Sequence, residues 1–337
     1  MPNKTKKAFI TGITGQDGYY LTKHLKSMDY EVHGLLRRNA LSTTGHIDPN
    51  DVILHVGDLT DPNSINKILR NNIFDEIYHL GAQTFVKESF DNPRHTVEVN
   101  TLGTLNVLSA MKSFQPHAKL YNAGTSEMFG NAKKTTSLDS GDAYNEDSRF
   151  EPQSPYGVGK VAAYQLCDIF RGSYGLHIST GFLFNHESPK RGDEFVTQKI
   201  IKGLVKCAVT YGTDQFEPVV LGNLTARRDW GFSGDYVRAM HLMLQQKDPD
   251  DYVIATGVNY SVEDFCRMAL DRVNLVTQQH MQFDKVFAVS EDHKRPLEVD
   301  DLLGDPWKAN NYLGWTAEVD IYELIEMMVD SALSPYK

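Results

Sequence analysis

Short apolar runs alternate with amphipathic segments through the first half of the 337-residue chain. Apolar residues that recur every three or four positions predict helices, and short uninterrupted apolar runs predict strands buried on both faces. The predicted strands are Lys7–Thr11, Val32–Leu36, Val52–Val56, Glu76–Leu80, Ala118–Ala123 and His177–Phe184. The predicted helices are Tyr19–Met28, Pro62–Arg70, His95–Ser113 and Tyr156–Ser173. This alternation predicts an α/β fold with a Rossmann-type, doubly wound parallel sheet.

The regular alternation ends after about Asn185, where prolines and glycines interrupt the chain. The elements predicted beyond it are the helices Asp235–Gln246 and Val262–Val273 and the strand Tyr252–Ala255. We therefore expect a sheet domain over residues 1–184 and a smaller C-terminal lobe over 185–337. Some later helices, about 234–247, are expected to pack back on the first sheet.

Composition narrows the class of protein. The formal net charge is −10, from 34 Lys and Arg against 44 Asp and Glu, which argues against a nucleic-acid-binding surface. No apolar run approaches the ~18 residues of a membrane helix. The early apolar segment Ala8–Ile10 is too short for the core of a signal peptide, so we expect a cytoplasmic protein. The cysteines Cys167, Cys207 and Cys266 lie far apart and form no metal-binding pattern, so no metal site is predicted.

A glycine-rich loop follows the first predicted strand. Its glycines Gly12, Gly15 and Gly18 form a GxxGxxG pattern rather than GxGxxG. Glycines at such a turn let the backbone approach a pyrophosphate at a helix N-terminus, so we expect a dinucleotide site. The residues expected to bind it are Gly12, Thr14, Gly15, Gln16, Asp17 and Gly18 of the loop, Asp58 and Leu59 after the third strand, and Leu80 and Ala82 after the fourth.

The end of the second predicted strand favours NADP over NAD. An acidic residue about 20 residues beyond the glycine loop would hold the ribose 2′-hydroxyl of NAD. Arg37 occupies this position and Arg38 follows it. Guanidinium groups suit a 2′-phosphate, so we expect Arg37 to bind NADP, the alternative being a solvated arginine pair.

Two further motifs carry catalytic chemistry. Tyr156 and Lys160 are four residues apart and share one face of a helix, where the ammonium favours the phenolate form of the tyrosine. Thr125 and Glu127 follow the fifth strand, at the end of a parallel sheet where ligands bind. Thr125 can hydrogen-bond a sugar hydroxyl. Glu127 supplies a carboxylate that elimination of water at C5 and C6 needs and a simple dehydrogenase or 4-epimerase does not.

With these motifs in place, the chain resembles the extended short-chain dehydrogenases/reductases and, within them, the GDP-mannose 4,6-dehydratases. The resemblance covers nearly the whole chain. Its most specific parts follow the sheet domain, in the Asn-His-Glu-Ser-Pro and Arg-Asp-Trp-Gly stretches. The segments that carry it are Gly12–Gly18, Thr125–Glu127, Ser154–Gly157, Phe184–Gly192, Ala226–Gly231, Arg295–Asp300 and Leu303–Pro306.

The resemblance implies a reaction. GDP-D-mannose would lose water to give GDP-4-keto-6-deoxy-D-mannose through internal hydride transfer by NADP, within GDP-fucose or GDP-rhamnose biosynthesis. Residues 1–184 would bind NADP, and 185–337 would mainly bind the GDP-sugar. The assembly would be a homodimer or homotetramer.

The resemblance also assigns roles to single residues. It makes Thr125, Glu127, Tyr156 and Lys160 catalytic, with the last two also binding the cofactor. Further cofactor contacts fall on His186 and Arg191. The substrate-binding residues would be Ser126, Asn185, Lys199, Arg228, Arg295 and Glu298.

Other functions remain open at this point. A nucleotide-sugar epimerase is the main enzymatic alternative, against which Glu127 argues. A non-catalytic NADP-sensing protein is the other, against which the full set of catalytic residues argues. Gly124 and Phe129 stand where the family usually has Ser and Tyr. These departures motivate a further hypothesis, an NADPH-dependent reduction of the C4 ketone to GDP-D-rhamnose.

Overall fold

The computed structural model describes residues 5–37, 45–291 and 296–336. Its strands are β1 (Lys7–Thr11), β2 (Glu31–Leu36), β3 (Ile53–Val56), β4 (Glu76–His79), β5 (Lys119–Ala123), β6 (Thr136–Leu138), β7 (Gly141–Ala143), β8 (His177–Leu183), β9 (Asn185–Glu187), β10 (Val219–Leu221), β11 (Arg227–Phe232), β12 (Tyr252–Ile254), β13 (Asn259–Ser261), β14 (Phe287–Val289) and β15 (Asp301–Leu302).

Helices separate most of these strands. They are α1 (Gln16–Ser27), α2 (Pro62–Asn71), α3 (Val86–Asp91), α4 (Pro93–Val97), α5 (Gly103–Phe114), α6 (Pro155–Tyr174), α7 (Val196–Thr210), α8 (Ser233–Gln245), α9 (Val262–Thr277), α10 (Phe283–Val286) and α11 (Ile321–Leu333). A π-helical turn, Glu98–Leu102, joins α4 to α5, so the helix predicted over His95–Ser113 is continuous but locally widened.

The main sheet has seven strands in the order β12-β8-β5-β4-β1-β2-β3. Every pairing within it is parallel, for example Phe9 with Ile77 and Phe9 with His33. The order starts in the middle of the sheet and winds outward in both directions, which is the doubly wound arrangement. The predicted fold class is confirmed.

Helices cover both faces of this sheet because its strands are apolar on both sides. On one face, Phe9 and Leu120 pack in a buried cluster with residues of α2, α5 and α6. On the other, Ile10 and Tyr121 pack with residues of α1 and α8 and with Trp315. None of the helices in the described part of the chain is both long and apolar enough to span a bilayer.

Several helix ends follow from side-chain caps. The Asp61 carboxylate accepts a hydrogen bond from the backbone N–H of Asn63 and starts α2. Ser154 caps α6 in the same way, through the N–H of Gly157, and Gly175 ends that helix with a positive φ of 64°. Because these caps satisfy free N–H groups, the helix that carries Tyr156 begins at a defined residue.

The chain returns to the main sheet after it has entered the second half. Helix α8 packs against α1, β5 and β8. Strand β12 then adds to the sheet edge beside β8, with Val253 opposite Phe182. The remaining second-half elements form their own buried cluster, built on α7, α9 and α11. The division into domains at residue 184 stays a prediction.

Gly18 allows α1 to lie against the start of the glycine loop. A Cβ at Gly18 would lie 2.2 Å from the carbonyl oxygen of Ile13. We expect Gly18→Ala to lower the free energy of unfolding by about 1–3 kcal/mol or more, because the contact is with backbone and cannot rotate away. Thermal and denaturant-induced unfolding would measure the change.

Gly172→Ala is a matched control for this substitution. Gly172 lies within α6, and a Cβ there would have no neighbour within 4 Å. Alanine favours helix over glycine by roughly 0.8–1 kcal/mol, so this variant should be slightly stabilised. Equal stability of the two variants would show that the close approach at Gly18 is not sterically demanding.

Candidate active site

Two adjoining cavities lie beyond the carboxyl ends of the parallel strands, where ligands bind in such sheets. We call the first, of about 460 Å³ around the glycine loop, the loop cavity. We call the second, of about 380 Å³ at the ends of β5 and β8, the central cavity. They adjoin because six residues line both: Asp17, Leu80, Thr84, Arg191, Glu194 and Phe195.

The loop cavity brings together the residues predicted to bind a dinucleotide. Gly12 has a φ of 74°, and a Cβ there would lie 2.8 Å from the Gly81 nitrogen, so only glycine fits. No side chain caps the start of α1, which leaves backbone N–H groups for an anion. The predicted residues on its lining are Gly12, Thr14, Gly15, Gln16, Asp17, Gly18, Arg37, Asp58, Leu59, Leu80 and Ala82.

Cationic side chains also line the loop cavity. Arg37 lies there at the end of β2, and Lys190 and Arg191 reach it from the second half of the chain. The Asp58 carboxylate accepts hydrogen bonds from the backbone and hydroxyl of Thr60, at 2.9 and 2.8 Å. A cavity with an uncapped helix start and several cations fits a dinucleotide with phosphate groups. Arg38 lies outside the described residues.

The central cavity brings together the predicted catalytic residues. Thr125 and Glu127 follow β5 in a short turn, and Tyr156 and Lys160 lie in the first turns of α6. A Cβ at Gly157 would lie 2.8 Å from the carbonyl oxygen of Glu127, so a glycine is needed for α6 to pack on that turn. The predicted residues on the lining are Thr125, Ser126, Glu127, Tyr156, Lys160, Asn185, His186, Arg191 and Lys199.

The environment sets the charge of Tyr156 and Lys160. The Lys160 ammonium donates a hydrogen bond of 2.7 Å to the carbonyl oxygen of Ala123, and burial lowers its pKa to about 8. Burial raises the pKa of Tyr156 to about 12, although a hydrogen bond with the Thr125 hydroxyl acts in the opposite direction. In this state Tyr156 is a neutral phenol at pH 7, so a further positive charge is needed to make it a base.

His186 lines the central cavity and forms a partly buried ion pair with Asp17. Its Nε2 is 2.8 Å from the Asp17 carboxylate, and its Nδ1 is 2.8 Å from the carbonyl oxygen of Phe184. Burial lowers the pKa of His186, but the Asp17 charge outweighs burial and the net pKa is raised. Burial likewise raises the pKa of Asp17, but His186 outweighs it and the net value is about 2. The imidazole also stacks on Tyr236, with ring centroids 4.7 Å apart.

Arg191 lies where the two cavities meet. Its Nε is 3.1 Å from the carboxylate of Glu187, and its guanidinium lies 3.5 Å from the ring centroid of Phe195. Glu187 is buried and also accepts a hydrogen bond of 2.6 Å from the Thr197 hydroxyl. Sequence analysis gave Glu187 no role, although it belongs to the Phe184–Gly192 segment.

Two predicted substrate-binding residues, Arg228 and Glu298, lie outside these linings, and a third is not among the described residues. In the described part of the chain, neither Arg228 nor Glu298 is among the residues that line the two cavities. They contact each other instead, with Arg228 Nη2 3.2 Å from Glu298 Oε1. Arg295 lies outside the described residues. The predicted roles of these three residues in binding stay predictions.

The two departures from the family pattern differ in their surroundings. Gly124 lines the central cavity, and a Cβ there would lie 2.8 Å from the carbonyl oxygen of Gly181. Phe129 is fully buried and stacks on Tyr144, with ring centroids 5.0 Å apart. Because Phe129 packs in the core, the lost hydroxyl there gives no support to the hypothesis of C4 reduction, which stays a prediction.

Across the described ranges, no group of three or more His, Cys, Asp or Glu side chains could hold a metal ion. Cys167, Cys207 and Cys266 are free and buried.

A family model described as GDP-mannose 4,6 dehydratase matches residues 9–328. The chain belongs to this family. A GDP-mannose 4,6 dehydratase 1 from Arabidopsis thaliana is 43% identical, over 97% of this chain and 90% of that protein. A GDP-mannose 4,6-dehydratase from Vibrio cholerae is 40% identical, over 96% of this chain and 93% of the relative.

Solved structures support the fold of this GDP-mannose 4,6-dehydratase family member. The UDP-glucose 4-epimerase of Thermus thermophilus, in complex with NAD, superposes with a TM-score of 0.80. The match covers 97% of this chain and 99% of the epimerase at 24% sequence identity. At that identity, the likeness is evidence for the shared architecture alone.

The Asp17–His186 pair predicts a defined response to pH. His186 has a raised pKa, so its contribution to stability is complete below its ordinary pKa of about 6.5 and is lost as pH rises through the raised value. Asp17 has a lowered pKa, so its contribution is complete above about 3.9 and is lost as pH falls towards about 2. Between about pH 4 and 6.5 the pair therefore contributes fully.

We expect Asp17→Asn to lower the pKa of His186, because burial then acts without the carboxylate. NMR titration of ¹⁵N-labelled histidine would measure it, and the melting temperature should fall most between about pH 4 and 6.5. Asp193→Asn is the control, since Asp193 is exposed and pairs with Lys202. An unchanged His186 titration in Asp17→Asn would contradict the ion pair.

Proposed function

We propose that the chain is a GDP-mannose 4,6-dehydratase, a hydro-lyase that converts GDP-D-mannose to GDP-4-keto-6-deoxy-D-mannose and water. The observation that carries the proposal is the shared cavity of Glu127 with Thr125, Tyr156 and Lys160. This set combines groups for oxidation at C4 with a carboxylate for elimination. Family membership over nearly the whole chain supports the same reaction.

The first half of the reaction uses Tyr156 as a base. Tyr156 takes the proton from the C4 hydroxyl, while Thr125 orients that hydroxyl and Lys160 holds positive charge beside the phenol. A nicotinamide cofactor held by the lining of the loop cavity would supply the hydride acceptor for this oxidation and the hydride donor later in the same turnover. The C4 ketone that results makes the proton on C5 acidic.

Glu127 carries the second half of the reaction. Its carboxylate removes the C5 proton, and the resulting acid protonates the departing C6 hydroxyl, so that water leaves. The hydride removed from C4 would be returned to C6, and C5 would take up one proton, which balances the proton that Tyr156 removed from the C4 hydroxyl. The product therefore has a ketone at C4 and a methyl group at C6. The overall reaction removes one molecule of water from the sugar, and the cofactor would finish in its starting oxidation state.

The alternatives fit the cavity less well. A 4-epimerase oxidises and reduces the same carbon and has no use for a carboxylate at C5 and C6. A non-catalytic sensor of NADP has no use for the Tyr156, Lys160 and Thr125 set beside the cofactor cavity. The central cavity combines both features, which favours the dehydratase.

We propose NADP as the cofactor. Arg37 and Lys190 line the loop cavity, and the uncapped start of α1 faces the same space. These positive groups suit the extra phosphate that distinguishes NADP from NAD. Pathway context, in GDP-fucose or GDP-rhamnose biosynthesis, and a cytoplasmic location stay predictions.

A homodimer or homotetramer is the assembly that we propose. Helix α6 exposes Val158 and Ile169, which are 51% and 55% exposed and lie three turns apart on one face. Nearby Leu102, in the π-helical turn that packs on α6, is 50% exposed. Apolar side chains that share a face of neighbouring helices suit a contact with a second copy of the chain.

Incubation with GDP-mannose and NADP should give a 4-keto-6-deoxy sugar, detected by NMR and by chromatography of the nucleotide sugars. We expect Glu127→Gln to lower the rate of product formation by about 10²–10⁴-fold, since an amide cannot exchange the C5 proton. NADP affinity should stay within about twofold of wild type, because Glu127 lines the central cavity and not the loop cavity.

Glu151→Gln is the control, because Glu151 is exposed and lies outside both cavity linings in the described chain. This variant should form product from GDP-mannose at the wild-type rate. If Glu127→Gln made 6-deoxy product at a rate within a few-fold of wild type, Glu127 would have no part in the elimination. If wild type made no 4-keto sugar, the dehydratase assignment would be wrong.

Arg37 should decide the preference between cofactors. We expect Arg37→Asp to reduce the ratio of NADP affinity to NAD affinity by about tenfold or more. The new carboxylate would repel the 2′-phosphate of NADP and accept a hydrogen bond from the ribose 2′-hydroxyl of NAD. Fluorescence titration of each variant with both cofactors would measure the ratio. Arg149→Asp, at an exposed residue outside both linings, controls for net charge. An unchanged ratio would remove Arg37 from the phosphate site.

A further inference from the structure

Two phenylalanine rings from distant parts of the chain meet at the central cavity. Phe85 is the N-cap residue of α3 and Phe195 that of α7, and both line this cavity. Their rings contact edge to face, with centroids 6.1 Å apart and planes inclined by 72°. This packing is favourable because the positive edge of one ring meets the negative face of the other. We call this contact the aromatic bridge.

Hydrogen bonds hold the Phe85 side of the aromatic bridge. The backbone N–H of Gln83 donates to the side-chain oxygen of Asn100 at 2.8 Å, and the Asn100 amide donates back to the Gln83 carbonyl oxygen at 3.0 Å. The Gln83 side chain donates a further hydrogen bond, of 2.9 Å, to the carbonyl oxygen of Phe85. Asn100 is buried in the π-helical turn before α5, and α5 packs on the main sheet. The backbone of Phe85 is therefore anchored to the first half of the chain.

Charged contacts hold the Phe195 side of the aromatic bridge. The Arg191 guanidinium lies 3.5 Å from the centroid of the Phe195 ring. That guanidinium is paired with the buried Glu187 carboxylate, which also accepts a hydrogen bond from Thr197 in the first turn of α7. The backbone N–H of Phe195 bonds to the carbonyl oxygen of Gly192 at 3.2 Å. The aromatic bridge therefore joins two segments that are anchored separately.

The aromatic bridge lies at the boundary between the two cavities. Phe195 lines both cavities, and so does Thr84, the residue that precedes Phe85. The carboxyl end of β4 reaches the same boundary through Leu80. In the proposed reaction, a dinucleotide lies along the glycine loop and presents its nicotinamide to the central cavity. Such a ligand passes through this boundary, bordered by the end of the sheet and by the aromatic bridge.

We propose that the aromatic bridge is a strap that retains the nicotinamide cofactor during turnover. The inference rests on the proposed function, in which the cofactor has to stay bound between two hydride transfers of one turnover. Of the described residues that line the cavities, Phe195 reaches both and Phe85 the central one, so Phe85 acts through Phe195. Release of the cofactor then requires the two rings to separate, as loops over other active sites open before release.

The dissociation rate of NADPH measures this retention. In a stopped-flow experiment, the protein–NADPH complex is mixed with excess NADP, and the nicotinamide fluorescence follows the release of NADPH. We expect Phe85→Ala to accelerate release by about tenfold, the order of magnitude for loss of a packed aromatic pair. Phe85→Tyr keeps a ring and should release NADPH within about twofold of the wild-type rate. Should Phe85→Ala fail to fold, Phe85→Leu keeps the apolar volume and should accelerate release by about threefold.

A double-mutant cycle distinguishes a strap from two rings that act separately. If the rings act together, Phe85→Ala should accelerate release by no more than about twofold when Phe195→Ala is already present. The comparison is made within one background, so the Arg191 contact that Phe195→Ala also removes does not affect it. Accelerations that multiply in the double variant would overturn the proposal, and so would a wild-type release rate in Phe85→Ala.

Tyr174→Ala is the matched control, because Tyr174 also packs edge to face, on Phe170, with centroids 5.1 Å apart. Tyr174 is 48% exposed at the end of α6 and lies outside both cavity linings in the described chain. This variant should release NADPH at the wild-type rate. An acceleration equal to that of Phe85→Ala would reflect a general loss of stability and overturn the proposal.

NADH separates the strap from the proposed preference for NADP. Phe85 lines the central cavity, whereas Arg37 lines the loop cavity, so Phe85→Ala should accelerate the release of NADH and of NADPH by the same factor. An effect on NADPH alone would assign the change to the phosphate site and overturn the strap. Dissociation needs no turnover. A protein that released both cofactors as expected but formed no 4-keto sugar would therefore refute the reaction and support the strap.

Discussion

The Asp17 carboxylate joins three parts of the chain that are distant in sequence. It lies in the first turn of α1, 2.8 Å from the imidazole of His186 and 2.8 Å from the hydroxyl of Ser233. These partners stabilise the partly buried carboxylate, and the N-terminus of a helix favours its charge. These contacts fix the glycine loop, the segment after β8 and the start of α8 relative to one another.

The relative placement of these three segments determines which residues lie at the boundary between the two cavities. The segment fixed by His186 continues to Glu187 and Arg191, so the guanidinium reaches both the loop cavity and the central cavity. The ion pair with Glu187 and the contact with the Phe195 ring restrict its orientation. A change of charge in one cavity therefore acts on Arg191, which also lines the other cavity. The cofactor and the sugar would be coupled electrostatically through this residue.

Local sequence patterns predicted the sheet well, because buried strands and amphipathic helices leave periodic signals. Contacts between distant segments left no such signal in the sequence. The addition of β12 to the sheet edge depends on its pairing with β8, and the ion pair between Asp17 and His186 forms only when the chain folds. Helix α7 has apolar residues at helical spacing, from Ile200 to Ala208, but the glycines and prolines around it obscured that signal. The motif residues Thr125, Glu127, Tyr156 and Lys160 all line one cavity, whereas the contact of Arg191 with Glu187 became visible only in the structure.

The protonation of Tyr156 and Lys160, the proposed catalytic pair, follows from the burial of both side chains. Burial disfavours the charged form of both side chains, so it raises the pKa of Tyr156 to about 12 and lowers the pKa of Lys160 to about 8. At pH 7 the lysine is still mostly protonated and the tyrosine is not ionised. One ammonium, itself hydrogen-bonded to Ala123, therefore does not suffice to form the phenolate. A second positive charge beside the phenol, which an oxidised nicotinamide supplies when bound, would couple the appearance of the base to the presence of the hydride acceptor.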